Sequence, residues 1–132
     1  MTRVLAVARV LLVIVMITHA FGKIQGFDAF ADKFNLPPVV IGLLTFAELA
    51  GAAGVAIGGF IPGTLGVLAT WLGAFAIAIT QVGAIVVVHW PNWFYFSNGF
   101  EYNFVLLGLC LMLVLGHTFK RARRERHNVI EV

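Results

Sequence analysis

The stretch Val39-Val40-Ile41-Gly42-Leu43-Leu44-Thr45-Phe46-Ala47-Glu48-Leu49-Ala50-Gly51-Ala52-Ala53-Gly54-Val55-Ala56-Ile57 decides the fold. A helix that crosses the hydrocarbon of a bilayer needs about 20 apolar residues, and this run supplies them. Its single charged residue is Glu48. Ten residues beyond Pro38, at about 1.5 Å per residue, that side chain lies about 15 Å deep, near the bilayer midplane. A charge at that depth costs roughly 3 kcal/mol on insertion scales, so it requires a partner, a proton or a purpose.

The rest of the chain fits a lipid solvent. Of 132 residues, 61% are hydrophobic and 11% charged, and the mean hydropathy is +0.97. A soluble domain of this size cannot bury so much apolar surface. Four apolar segments follow one another at residues 4–21, 38–60, 64–88 and 102–119. The expected fold is therefore all-α: a polytopic membrane protein with a four-helix transmembrane bundle over residues 1–119, followed by a basic tail over residues 120–132. Arg9 inside the first segment, and the lack of a small-residue cleavage site before Lys23, argue against a cleaved signal peptide. The one cysteine, Cys110, excludes an internal disulfide and C-x-x-C thiol chemistry.

The breaks between segments have local causes. Pro38 cannot continue a helix from upstream, but it suits the first turn of a new one. The glycines and proline of residues 58–63 make a tight turn. Residues 22–36 are charged but electrically balanced, with apolar residues recurring at spacings of three and four. That pattern predicts a short amphipathic helix in the membrane interface. Residues 89–100 contain Trp90, Trp93, Phe94, Tyr95 and Phe96, a set suited to an interfacial aromatic belt or lip.

Charge sets the expected orientation. Five of the nine Lys/Arg residues lie in Lys120-Arg121-Ala122-Arg123-Arg124-Glu125-Arg126. With Arg3 and Arg9 they share the side of both termini, against Lys23 and Lys33 on the other. The termini are expected in the cytoplasm, with the protein in the cell (inner) membrane. A basic run directly after an apolar helix reads as a membrane anchor rather than a nucleic-acid contact. Small residues suggest packing faces, with Ala50, Gly54 and Gly58 on the second span and Gly66, Thr70, Ala74 and Ala78 on the third.

The ordered set of polar and glycine positions resembles the DoxX family of small four-helix membrane proteins. It comprises Arg9, His19, Gly22-Lys23, Pro37, Glu48-Leu49-Ala50-Gly51, Gly58, His89 and Gly99-Phe100-Glu101-Tyr102-Asn103, and it extends over nearly the whole chain. The basic tail departs from the family pattern. Family members are associated with redox systems, and one branch resembles the small membrane subunit of a thiosulfate:quinone oxidoreductase. The resemblance thus implies a small membrane subunit of a redox or quinone-linked assembly, at most an accessory or quinone-interacting part of an oxidoreductase. It brings no settled catalytic residues, so none is assigned here.

The polar residues have competing readings. Glu48 serves as a proton-relay or ligand-contacting carboxyl, or it fixes helix packing through hydrogen bonds. Arg9 reaches Glu48 as a buried pair, or it snorkels to headgroups. His19, Lys23, His89 and Glu101 are expected to gather at the outer membrane level with Gln81 nearby. They form a ligand site or an interfacial hydrogen-bond network. A quinone is the cofactor compatible with the first reading. Haem is disfavoured, since no attachment motif is present, and a metal site lacks ligand spacing. Membrane lipid, a soluble or membrane redox partner and a second copy of the chain are the partners considered; nucleic acid is not. Two further functions remain open: a non-enzymatic scaffold or assembly factor that recruits a soluble partner, and a small-molecule carrier. Four short helices leave a carrier little room for alternating access.

Overall fold

The structure, a computed structural model, describes residues 2–89 and 100–130, with side chains described for 3–89 and 100–118. Five α-helices follow in order: α1 Thr2–Gln25, α2 Phe27–Phe34, α3 Pro38–Gly58, α4 Gly63–Ala84 and α5 Glu101–Ile130. A π-helical turn, Ile85–His89, extends α4. Four of the helices are long and apolar enough to span a membrane, over Arg3–Gln25, Pro38–Gly58, Gly63–His89 and Glu101–Thr118. The all-α, four-span architecture is the one the hydropathy pattern predicts.

The helices form a square. α1 packs on α3 and α5, and α4 packs on the same two. The α3–α4 pair is the most intimate, and small residues explain why. A Cβ added at Gly54 would sit 3.2 Å from Gly73 Cα, and one at Gly73 would sit 2.7 Å from Val55 N. The backbones approach so closely that only hydrogen fits between them. Buried positions run 51, 55, 58 on α3 and 66, 70, 73, 77 on α4. The stripe expected from Ala50, Gly54 and Gly58 needs correction, since Ala50 is exposed and Gly51 takes its place. A strict four-residue step turns 400° and drifts off the seam, whereas alternating steps of three and four stay on it.

Along the axis the core is Leu5, Ala8, Leu12 and Met16 from α1, Val55 from α3, Ile77 from α4, and Leu106, Cys110 and Leu113 from α5. The outside is apolar too, with Phe46 and Leu65 each 70% exposed. Such a surface is stable only against lipid tails, which cost it nothing to meet.

The amphipathic segment is helical as predicted. α2 buries Ala31, half-buries Phe27, Phe30 and Phe34, and exposes Asp28, Asp32 and Lys33. Asn35 ends it in the left-handed conformation at φ 49°, which asparagine tolerates. The Leu36 N–H donates to Ala31 O at 3.0 Å. Pro38 then opens α3 at its first turn. At the other end α5 runs without a break from the span through residues 120–130. The basic tail therefore begins as a continuation of the fourth helix.

Candidate functional site

Two polar centres lie at opposite ends of the bundle. The first surrounds Arg9 near the α3–α4 turn. Its guanidinium donates to Val55 O and, from both terminal nitrogens, to Thr70 Oγ1 at 3.2 Å. It also meets His117 Nε2 at 2.8 Å. Arginine only donates, so that imidazole nitrogen accepts. Thr70 Oγ1 in turn donates to Gly66 O at 2.9 Å. Arg9 thus ties α1 to α3, α4 and α5 through neutral acceptors.

The expected Arg9–Glu48 pair does not form. Glu48 is ion-paired with Lys23 instead, through Oε1, and both are buried, at 3% and 8% exposure. The reason is directional. A helical side chain leans toward the N-terminus of its own helix. On α1 that direction carries Lys23 back into the membrane and carries Arg9 away from Glu48. On the antiparallel α3 it tilts Glu48 toward the end where Lys23 lies. Lys23 also sits over the Phe30 ring at 5.8 Å from the centroid, which links the pair to α2. The second carboxylate oxygen, Glu48 Oε2, is buried and has no hydrogen-bond partner among the described residues.

A cavity of about 470 Å³ opens beside this pair, at the end of the bundle away from the termini. α1 contributes Thr18, His19, Gly22 and Lys23; α3 contributes Val40, Leu44 and Glu48. α4 adds Thr80 and Gln81, and the π turn adds Val87, Val88 and His89. Phe30 and Phe34 of α2 and Asn103 of α5 add further wall. Exposed His19, Gly22 and Val87 stand beside buried Lys23, Glu48 and Gln81 in that lining. The cavity therefore runs from the surface into the bundle. Its volume is within the range of small-molecule sites, about 300–1,000 Å³, and an apolar wall with a few convergent polar groups is their usual make-up.

Local structure places each polar group. Gln81, 2% exposed, donates to Thr80 Oγ1 at 3.3 Å and approaches Met16 Sδ at 3.7 Å. Thr80 donates to Ile77 O at 2.8 Å. The widened π turn follows directly and brings Val87, Val88 and His89 to the cavity. Such turns recur at functional sites because they re-aim the side chains after them. His19 stacks on Tyr102, with centroids 5.0 Å apart and planes 14° apart. That stack joins α1 to α5 at the cavity's edge.

Of the predicted ligand residues, His19, Lys23, Gln81 and His89 come together around the cavity, with Glu48 among them. Glu101 is not among the described residues that line it. It occupies the first turn of α5, where a negative charge suits the helix dipole. Two residues on, Asn103, buried at 4% exposure, supplies that helix's polar wall instead. The proposed lip residues Trp90, Trp93, Phe94 and Tyr95 lie outside the described residues. Sequence reasoning missed Asn103, Thr80 and the two phenylalanines. A signal existed for the latter, since the three-and-four spacing of residues 22–36 implies an apolar face that must cover something.

The DoxX family model matches residues 4–90. That stretch holds every cavity residue named above except Asn103. It ends before residues 99–103, so the match is shorter than the resemblance read from the sequence. No curated protein and no solved structure matches the chain.

Proposed function

This chain is a multi-pass membrane protein belonging to the DoxX family, and from that premise we propose that it is a small membrane subunit of a redox assembly that holds a quinone-class molecule in the cavity beside Lys23 and Glu48. One observation carries the reading: a cavity of about 470 Å³ combines an apolar wall with a buried ion pair and a buried amide. A quinone has the matching division, a polar ring on an apolar tail. Phe30, Phe34, Val87 and Val88 offer apolar contact to such a ring and its tail. Lys23, an ammonium with three N–H groups of which Glu48 takes one, carries hydrogen-bond donors for its oxygens. When bound, the quinone would supply the electron chemistry. The chain's own residues bind the head, orient it and keep water from it.

In the proposed orientation both termini face the cytoplasm, and the cavity opens toward the outer leaflet. The test is purification in mild detergent or native nanodiscs, followed by solvent extraction of the bound molecules. A quinone should copurify with the wild-type chain and be depleted by Gln81→Leu. A folded, quinone-free wild type that also fails to bind added quinone would refute the reading.

The scaffold reading retains one observation in its favour. α5 continues through residues 119–130, beyond the span, and that continuation carries Lys120, Arg121, Arg123, Arg124 and Arg126. A basic helix continuing from the span suits an acidic partner. Copurification of a partner without electron chemistry, and of no quinone, would favour it.

A further inference from the structure

Glu48 Oε2, which no described residue serves, points to what the buried end of the ligand is. We infer that the cavity selects a neutral hydroxyl donor, so that it takes a quinone-class ligand as the hydroquinone and holds the oxidised quinone more weakly. The inference rests on the quinone reading of this cavity.

The argument begins with acceptors. A carboxylate only accepts hydrogen bonds, and Glu48 uses Oε1 for Lys23. Oε2 is buried, and no described donor serves it. Leaving a buried acceptor unmatched is costly, more so when it is charged, so a donor entering the cavity is strongly favoured there. A hydroxyl brings such a donor. A quinone carbonyl is itself an acceptor, and it would set two oxygen lone pairs against each other.

Charge narrows the choice further. Lys23 and Glu48 already balance each other. The other described polar groups of the lining, His19, Thr80, Gln81, His89 and Asn103, carry no fixed charge, so a cationic or anionic head would add one in surroundings of low dielectric. A neutral hydroxyl meets both demands. The remaining oxygen of a hydroquinone can itself accept from a donor such as Lys23.

The experiment compares three probes on the full-length wild-type chain in nanodiscs, under anaerobic conditions. They are a decyl-substituted benzoquinone, its hydroquinone and decanol, with affinity read by calorimetry. A hydrogen bond to a charged acceptor predicts hydroquinone binding tighter by about tenfold or more. In Glu48→Gln, whose amide offers a donor as well as an acceptor, that preference should collapse toward unity. The wild-type comparison stands even where this variant fails to fold. Equal affinity for both redox forms, or tighter binding of the quinone, would overturn the inference and leave the quinone reading intact. Binding of decanol with neither quinone form would keep the hydroxyl preference and end the quinone reading. Binding of none of the three would overturn both.

Discussion

Lys23 and Glu48 meet inside the membrane because their helices run antiparallel and both side chains lean toward the same level. The pair is neutral as a unit, which makes two buried charges tolerable. Lone survivors would not be. Single replacements Lys23→Met and Glu48→Leu should each destabilise the bundle by about 3–5 kcal/mol. The double replacement should cost clearly less than the sum of the two. Thermal or denaturant unfolding in detergent, arranged as a double-mutant cycle, measures the difference. Simple additivity would show that the two charges do not depend on each other.

Arg9 should behave differently. Arg9→Met removes the donors to Val55 O and Thr70 and should cost roughly 1–3 kcal/mol of stability. Ligand affinity in the folded fraction should be unchanged. Arg9 precedes Lys23 by fourteen residues, about 21 Å along α1. Arg9→Lys should restore only part of the loss, because one ammonium cannot reproduce the planar fork. A change in cavity binding equal to that of Gln81→Leu would contradict the separation of the two centres.

The α3–α4 seam should tolerate no added volume. Gly54→Leu and Gly73→Leu should destabilise by at least about 1–3 kcal/mol, since the added atoms meet backbone that cannot yield. Gly108→Ala is the control. Nothing lies within 4 Å of its added Cβ, and alanine favours a helix over glycine by up to about 1 kcal/mol. It should be neutral or stabilising in the same unfolding assay.

Phe34 tests the role of α2. Phe34→Ala should weaken ligand binding several-fold while the bundle's unfolding midpoint changes little, because Phe34 lines the cavity and lies outside the four spans. Parallel losses of binding and stability would instead make α2 part of the structural core.

Orientation is open to chemical labelling. In a Cys110→Ala background, Ser97→Cys and Asn128→Cys should react with a membrane-impermeant thiol reagent from opposite sides, with position 128 on the cytoplasmic side. Reaction of both from one side would overturn the proposed topology.

Much of the fold is legible without coordinates, because bilayer thickness imposes a length on every span. Residues 38–60 were expected for the second span and Pro38–Gly58 is observed, with Pro38 starting it. The amphipathic pattern of residues 22–36 likewise anticipates α2. The site was legible in membership more than in pairing. His19, Lys23, Gln81 and His89 were named and do surround one cavity. Asn103 stands in the sequence pattern of residues 99–103, but a single amide leaves no periodic signature to mark it as cavity wall.

Hydropathy, turn residues and charge asymmetry depend on local composition and on the solvent, so the sequence alone determined that the chain is a four-span helical bundle and that Glu48 required an answer. Which residue answers it depends on the relative direction of two helices and the tilt of each Cα–Cβ bond along them. Those are relations across the bundle rather than along the chain. Only the tertiary structure could therefore choose Lys23 over Arg9, and only it could place Glu48 in a cavity wall with no described partner for its second oxygen.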